Sequence, residues 1–309
     1  MRDALRGLSR GILPVPSVLL LLGLIIAPLV ALGVFSFYQQ LHPLSGLGTL
    51  QYQQLFSGTL YVQVLLKTFW VALLVTAITT VIAWPAGWIV SRLPRRGQLT
   101  VMTIVIVPYL TSFLLLIYAM FVLLAPSGPL MTLLGHLHLA SPHSSIVYTP
   151  WATVVMLVYE SIPIMLLVTY AASEQIPNEL VDAARSLGAG NWRVFRRVIL
   201  PISLPGALSG AALVFIPALG AFAEPEILGG PNGILFGNLV NDQINTTGDE
   251  PFAAALSFLM LAAVIVIVLL LGIAIRIGRS RAGAARLVPG GAAAAEPAEP
   301  APAGLVSSR

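Results

Sequence analysis

The sequence contains no cysteine, which excludes disulfide bridges, zinc fingers and thiol chemistry. It is also poor in charge. Charged residues make up 9% of the chain, whereas about a quarter of a soluble domain is charged because its surface faces water. Hydrophobic residues make up 57%, and the mean hydropathy is +0.91. Most of the chain must therefore face an apolar solvent, and a lipid bilayer is the solvent that fits.

The chain has a single lysine, Lys67, which follows Leu66 rather than a glycine. A loop that cradles the phosphates of ATP needs glycine, four residues, and then glycine, lysine and serine or threonine. We therefore expect no ATPase site in this chain, and no catalytic residue or cofactor of its own.

Two further classes of site are not expected. His136, His138 and His143 share one loop, but no acid or cysteine lies near them, so a metal site is not predicted. A net charge of +4 is compatible with nucleic acid as a partner. The basic residues instead form short clusters between apolar runs, which membrane orientation explains better.

Six apolar segments are long enough to cross a bilayer core of about 30 Å at about 1.5 Å per residue. The first exceeds the roughly 7–15 apolar residues of a secretory signal, so we predict that it is retained as a helix. Several segments contain proline, which membrane helices tolerate. The predicted helices are Val15–Phe37, Leu65–Val90, Leu99–Leu124, Thr149–Ala172, Leu204–Ala223 and Ala253–Ile277.

The orientation follows from the basic residues. With the N-terminus in the cytoplasm, 15 of the 16 basic residues fall on the cytoplasmic side, and only Lys67 is left at the outer edge of the second helix. The sequence thus predicts an all-α polytopic membrane protein, N-in and C-in, with one six-helix domain at 1–277. Residues 278–309 are small and proline-rich, and are predicted to be a disordered cytoplasmic tail.

Residues 173–203, between the fourth and fifth apolar segments, are predicted to form two short helices at the cytoplasmic face; we call this segment the elbow. Pro177 suits a first helical turn, and Glu179 favours the positive end of a helix. Gly188 ends this helix, because glycine adopts the left-handed conformation readily. A second amphipathic piece follows, and Pro201 is predicted to stop it at the membrane.

The apolar residues of the elbow allow two interpretations. Leu180, Ala184 and Leu187 lie at i, i+4 and i+7 and predict one apolar stripe with small residues beside it, which another protein would approach closely. Alternatively, the segment is an ordinary interfacial loop whose arginines bind lipid headgroups. The periodicity by itself favours neither.

The elbow also contains a spaced motif, whose positions are Asp182, Ala183, Ala184, Gly188, Val198, Leu200 and Pro201. Three residues separate the alanines from the glycine, and nine separate the glycine from the valine. This spacing resembles the EAA loop of ABC importer permeases, with aspartate for the first glutamate and valine for isoleucine. The position, before the penultimate helix, is also similar.

That resemblance implies a type I ABC importer permease fold in the bacterial cytoplasmic membrane. The elbow would be the coupling helix, with Glu179 and the motif residues at the contact with an ATPase. The partners implied are two ATPase subunits that hold ATP and Mg, a second related permease, an external substrate-binding protein and membrane lipid. Transport would proceed by alternating access, driven by closure of the ATPase subunits.

Residues 217–230, 237–243 and 251–257 look like those of the spermidine/putrescine permeases, in the PotB-like branch. The usual pattern there has an acidic residue where this sequence has Ala221, and a neutral residue where it has Glu224. The resemblance implies polyamine uptake. Ferric iron and anions are the alternative substrates.

Glu160 provides an independent indication of a cation, because it lies midway along the fourth apolar segment. An ionised carboxylate there is costly unless it faces a wet cavity or a partner. Pro163 leaves the carbonyl of Tyr159 without its helical donor, so the two oxygens together would hold an ammonium group. Phe222 and Glu224 complete the predicted pathway. The alternative is a protonated Glu160 bonded to a neighbouring helix or to another subunit.

A self-sufficient secondary transporter or channel is the competing class of function. A proton-coupled carrier more often shows further intramembrane acids or paired charges, and the sequence places Glu160 alone in the apolar segments. A channel needs a filter-like loop, and none is evident. Glu226, beyond the fifth segment, is predicted to be a solvated loop charge.

Overall fold

The structure is a computed structural model that describes residues 14–38, 46–138 and 145–286, with side chains described between 18 and 269 of these. This described part is helical and contains no strand. Three π-helical turns occur at Phe195–Ile199, Pro225–Gly229 and Gln243–Thr247. The helices are α1 (Pro14–Phe35), α2 (Leu50–Ser57), α3 (Leu60–Ser91), α4 (Arg95–Tyr109), α5 (Phe113–Leu124), α6 (Pro129–His136), α7 (Pro150–Glu174), α8 (Asn178–Ser186), α9 (Asn191–Val194), α10 (Leu200–Leu219), α11 (Phe236–Asp242) and α12 (Glu250–Arg286).

Six segments of the described chain are long and apolar enough to cross a membrane, which confirms the predicted number. Large apolar side chains cover their outward faces: Leu66, Trp70 and Val81 of α3 are 64%, 65% and 73% exposed. Exposed apolar surface of this extent is stable in lipid and not in water. The segments are Val18–Phe35, Leu60–Ser91, Phe113–His136, Pro150–Glu174, Asn191–Leu219 and Glu250–Leu269.

The predicted third membrane helix, Leu99–Leu124, is wrong as a single helix. α4 ends at Tyr109, and α5 starts at Phe113 after Ser112 takes up a backbone ψ of 130°. Pro108 has no N–H for the carbonyl of Ile104 and crowds the preceding turn, which weakens the helix at this point. The apolar span of the region runs instead through α5 and α6.

The main core lies where α3, α7 and α10 pack side by side. Its buried side chains include Val75 of α3, Leu157 and Met165 of α7, and Val214 of α10. Pro85, Pro163 and Pro217 lie inside these three helices without ending them. This agrees with the tolerance of proline expected in a membrane.

α3 and α7 meet backbone to backbone at Gly87. A Cβ atom on Gly87 would lie 2.8 Å from the amide nitrogen of Tyr170 and 2.9 Å from the carbonyl carbon of Thr169, which is too close for any side chain. The Thr169 hydroxyl also donates a hydrogen bond to the carbonyl of Ala83 at 3.0 Å. Small residues permit such contacts between membrane helices, where lipid provides no hydrophobic drive for association.

The segment before α11 is fastened to the start of α3. The Lys67 ammonium donates to the carbonyls of Asn232 at 2.5 Å and Ile234 at 2.9 Å. The amide of Phe236 donates to the Thr68 hydroxyl at 2.9 Å. Lys67, the basic residue that the charge pattern predicts on the outer side, thus satisfies backbone carbonyls of the segment before α11.

α12 continues to Arg286 and so includes the first residues of the predicted tail, 278–309. Residues 287–309 lie outside the described residues, as does His143. The domain boundary at residue 277 and the N-in, C-in orientation stay predictions.

Candidate functional site

The first arm of the elbow is α8, and it ends as predicted at Gly188. Gly188 has a φ of +79°. Its amide donates to the carbonyl of Arg185 at 2.8 Å, and the amide of Ala189 donates to the carbonyl of Ala184 at 3.1 Å. This pair of bonds is a Schellman motif, which satisfies the last helical carbonyls and needs a left-handed residue at this position. The glycine therefore sets the angle between the two arms.

The apolar stripe predicted on α8 is only partly correct. Val181, not Leu180, is the buried residue of this helix, at 3% exposure. Ala184 packs partly against the same core, while Leu180 and Leu187 are 47% and 88% exposed. Helical spacing alone could not assign the buried face, because α8 has apolar residues on two sides. The elbow thus keeps one apolar face free, made of Leu180, Ala183 and Leu187.

Pro201 does not stop the second arm, which corrects the prediction. The chain is helical from Asn191 through the π-helical turn Phe195–Ile199 and on into α10. In that turn the amide of Leu200 donates to the carbonyl of Phe195, five residues back. Proline has no N–H and crowds the preceding turn of a regular α-helix, and the wider π-helical turn directly before Pro201 lets the helix continue. The second arm and the fifth membrane helix therefore form one continuous helix.

The elbow is held by the C-terminal end of α3. Arg92, directly after α3, donates to the side-chain oxygen of Asn178 and, at 3.3 Å, to the carbonyl of Ile176. Burial, and then the charge of Arg185, lower the pKa of Arg92, while Asp182 acts in the opposite direction. Its guanidinium stays charged, because arginine keeps its proton in proteins.

An aromatic cluster holds the second arm. The centre of the Trp88 ring lies 5.3 Å from that of the Phe195 ring, and the Trp192 ring stacks on Phe195 at 5.7 Å. Trp84 meets Phe195 edge-on at 6.4 Å and donates from its indole nitrogen to the Ser203 hydroxyl at 2.9 Å. Four aromatic rings thus converge where the elbow touches α3.

Glu160 lies beside a cavity of about 340 Å³ bounded by the break between α4 and α5, by α7 and by α10. Tyr109 and Pro217 also line it. A neighbouring cavity of about 200 Å³ is lined by Tyr159, Glu160 and Pro163, so these three predicted pathway residues do share one space. The helix break that the sequence analysis missed is what opens this space.

Glu224 contacts Glu160. The two carboxyl groups are close enough to share a hydrogen bond, and Glu224 is 4% exposed. Oε2 of Glu160 is buried and has no hydrogen-bond partner among the described residues. The expectation that Glu160 stands alone is therefore wrong: a second acid reaches it from the chain beyond α10.

Two other predicted residues lie apart from this pair. Phe222 lines a separate cavity of about 350 Å³ together with Phe236 and Asn241. Glu226 is exposed, but its Oε2 accepts a hydrogen bond from the Asn238 amide at 2.7 Å, so it is not a free loop charge. Asn238 is itself 1% exposed and also donates to the carbonyl of Phe222 at 2.9 Å.

Arg92, Asn178 and Tyr109 were not predicted as site residues from the sequence. An arginine immediately after an apolar run is usual at a membrane boundary, so charge pattern alone gave no sign of its bond to the elbow. Tyr109 was placed inside a continuous helix, where it had no reason to line a cavity.

The elbow and most of the core fall in the part of the chain that matches a known family. Binding-protein-dependent transport system inner membrane components match residues 80–282. The chain belongs to that family. It is accordingly a multi-pass protein of the bacterial inner membrane and a transport component.

Named relatives in this family carry several substrates. The spermidine/putrescine transport system permease protein PotB of Escherichia coli (strain K12) is 34% identical over 198 residues, which cover 64% of this chain and 72% of that protein. PotB of Haemophilus influenzae is 34% identical over 206 residues, covering 67% and 72%. The molybdenum transport system permease protein ModB of Escherichia coli is 36% identical over 128 residues, covering 40% and 55%.

Solved structures agree on the fold. A bacterial ABC transporter that imports the acidic polysaccharide alginate has a chain that aligns with a TM-score of 0.66 and 18% identity, covering 89% of this chain and 98% of that one. The predicted all-α fold of an ABC importer permease is thereby confirmed. The roles assigned to the elbow and the pathway residues stay predictions.

Proposed function

We propose that this chain is the membrane-spanning subunit of an ATP-driven ABC importer that takes up polyamines by alternating access. The observation that carries the substrate class is the contact between the carboxyl groups of Glu160 and Glu224 beside a cavity in the core. The named PotB relatives support the same class of substrate.

The carboxyl pair favours a cation over an anion. Two carboxylates in contact in a medium of low dielectric repel each other, and a cation between them removes that repulsion. An alkyl ammonium suits the site, because the ammonium would take the free Oε2 of Glu160 while its carbon chain lies along Tyr109 and Leu116. Molybdate, by contrast, would meet negative charge here.

The Tyr159 carbonyl supplies a third oxygen to the proposed site. Pro163 lies inside α7 and has no N–H, so the carbonyl four residues earlier lacks its helical donor. Tyr159, Glu160 and Pro163 line the same small cavity. An ammonium group donates three hydrogen bonds, and two carboxyl groups and a carbonyl provide the acceptors.

The elbow is proposed to be the element that an ATPase binds and moves. Its exposed face is apolar and its two arms are fixed in angle by Gly188, as a rigid docking element requires. In this proposal two ATPase subunits hold ATP and Mg, a second related permease completes the pore, and an external binding protein delivers the substrate. The motif residues Asp182, Ala183, Ala184, Leu200 and Pro201 belong to this element, with Glu179 in its first turn.

The test is uptake into proteoliposomes by the complex reconstituted with its co-expressed ATPase, second permease and binding protein. Labelled putrescine, spermidine, ferric iron and molybdate are compared with ATP inside the vesicles, with ATP omitted, and with a proton gradient in place of ATP. We expect ATP-dependent accumulation of a polyamine.

Each other outcome contradicts a stated part of the proposal. Accumulation of iron or molybdate but not of polyamines would refute the substrate class and leave the ABC mechanism standing. Accumulation driven by the gradient without ATP would refute the mechanism and identify a secondary transporter.

A further inference from the structure

We propose that Trp84, Trp88 and Arg92 are positioning residues that transmit movement of the elbow to α7 and its Glu160. The proposal rests on the function proposed above, in which an ATPase moves the elbow. It assigns α3, in addition to the elbow's own connections to α7 and α10, as an element that carries this movement to the substrate cavity.

These three residues form one stripe along the cytoplasmic end of α3. They lie at i, i+4 and i+8, and residues with this spacing project from the same face of a helix. Trp84 and Trp88 are part-buried against the cluster of Ile176, Val181 and Phe195. The stripe is therefore a continuous contact surface and not three isolated contacts.

The stripe contacts both arms of the elbow. Arg92 binds the start of the first arm through Asn178 and the Ile176 carbonyl. Trp88 packs on Phe195 of the second arm, and Trp84 bonds to Ser203 beyond it. Because both arms are attached to one helix, the elbow cannot rotate about Gly188 without pulling the end of α3.

α3 in turn packs tightly against α7 at the part of the α3 surface that carries Gly87. The Gly87 backbone lies against Thr169 and Tyr170, and the Thr169 hydroxyl bonds to the Ala83 carbonyl at 3.0 Å. Close-packed helices move as rigid bodies because interiors do not deform continuously. Glu160 lies nine residues before Thr169 on the same helix, about 14 Å along its axis.

The experiment measures the number of polyamine molecules imported per ATP hydrolysed, in the reconstituted complex. For Trp88→Ala and Arg92→Ala we expect ATP hydrolysis within about twofold of the wild type and an import ratio lower by about tenfold, as for loss of a coupling between sites. Matched controls are Ile89→Ala, next to Trp88 but 58% exposed, and Arg96→Ala, which is exposed on α4. Both controls should keep the wild-type ratio.

A merely structural role is separated by a double-mutant cycle. Arg92→Ala removes the bond to Asn178 as well as the bond to the Ile176 carbonyl, so adding Asn178→Ala should lower the import ratio no further than Arg92→Ala alone. Where the alanine variants do not assemble, Arg92→Lys and Trp88→Phe decide. Arg92→Lys keeps the charge but cannot make both hydrogen bonds in the same geometry, and Trp88→Phe keeps a ring but loses part of its contact with Phe195. Each should lower the import ratio about threefold.

The proposal is overturned if Trp88→Ala and Arg92→Ala, or their conservative replacements, keep the wild-type import ratio. It is also overturned if they lower import and hydrolysis equally, since that indicates general damage to the complex. Failure of the proposed function looks different, because the wild-type complex itself would then import no polyamine or need no ATP.

Discussion

Glu160 on α7 and Glu224 beyond α10 place their carboxyl groups in contact beside the cavity that the break between α4 and α5 opens. Neither residue alone defines this site. Glu160 supplies a buried oxygen without a partner among the described residues, and Glu224 brings a second carboxyl group to it.

Removing either charge should reduce polyamine uptake. Glu160→Gln and Glu224→Gln keep the shape of the side chain but lose a charge-assisted hydrogen bond of about 1.5–3 kcal/mol, so uptake affinity should fall about 10–100-fold. The measurement is the concentration dependence of spermidine uptake by the reconstituted complex. Glu250→Gln, an exposed acid at the start of α12, is the matched control and should leave affinity unchanged. Unchanged uptake in both pair variants would remove the carboxyl pair from the pathway.

Gly188→Ala should weaken the attachment of the ATPase. The left-handed backbone at φ +79° costs an alanine about 1–2 kcal/mol, which corresponds to about 5–30-fold in affinity if the elbow shifts. Titration of purified ATPase onto the detergent-solubilised permease measures the effect. Gly190→Ala is a close control, because Gly190 has φ −67° and no neighbour within 4 Å of its added Cβ. If the two variants bind the ATPase equally well, the angle between the arms does not matter for docking.

Gly87→Ala should separate α3 from α7. The added methyl overlaps the backbone at Thr169 and Tyr170, and overpacking of this kind costs about 1–3 kcal/mol. Thermal unfolding in detergent should show a lower midpoint than the wild type. Gly23→Ala is the control in α1, where nothing lies within 4 Å of the added Cβ, and it should not lower the midpoint. A stable Gly87→Ala protein would contradict the tight crossing.

The orientation can be tested directly, because the chain has no native cysteine to remove. Leu187→Cys and Thr246→Cys each introduce a single exposed thiol, one on the elbow and one between α11 and α12. With the elbow in the cytoplasm, a membrane-impermeant maleimide applied to intact cells should label Thr246→Cys and not Leu187→Cys. Both should react in permeabilised cells. The reverse pattern would refute both the orientation and the proposed role of the elbow.

Much of the fold could be predicted from the sequence, because six long apolar runs permit few other structures. The end of α8 at Gly188 was equally predictable, since a glycine after an amphipathic turn has one common structural use. The spacing of the elbow motif identified the family before any contact was known.

The remaining features depend on contacts between segments far apart in the chain. Pro163 and Pro217 lie inside continuous helices, whereas α4 ends one residue after Pro108. Proline alone therefore cannot locate a break. Pro201 was expected to end a helix, but a π-helical turn directly before it lets the helix continue. The approach of Glu224 to Glu160 leaves no pattern in the local sequence.

The packing of α3 limits which parts of such permeases can be exchanged. One part of its surface fits the elbow through Trp88 and Arg92, and another fits the α7 backbone through Gly87. A chimaera that takes this helix from a related permease would carry surfaces that fit the elbow and the α7 of that permease, neither of which is present. Helix, elbow and α7 would therefore have to be transplanted together, and homologous recombination within this stretch should seldom yield a working importer.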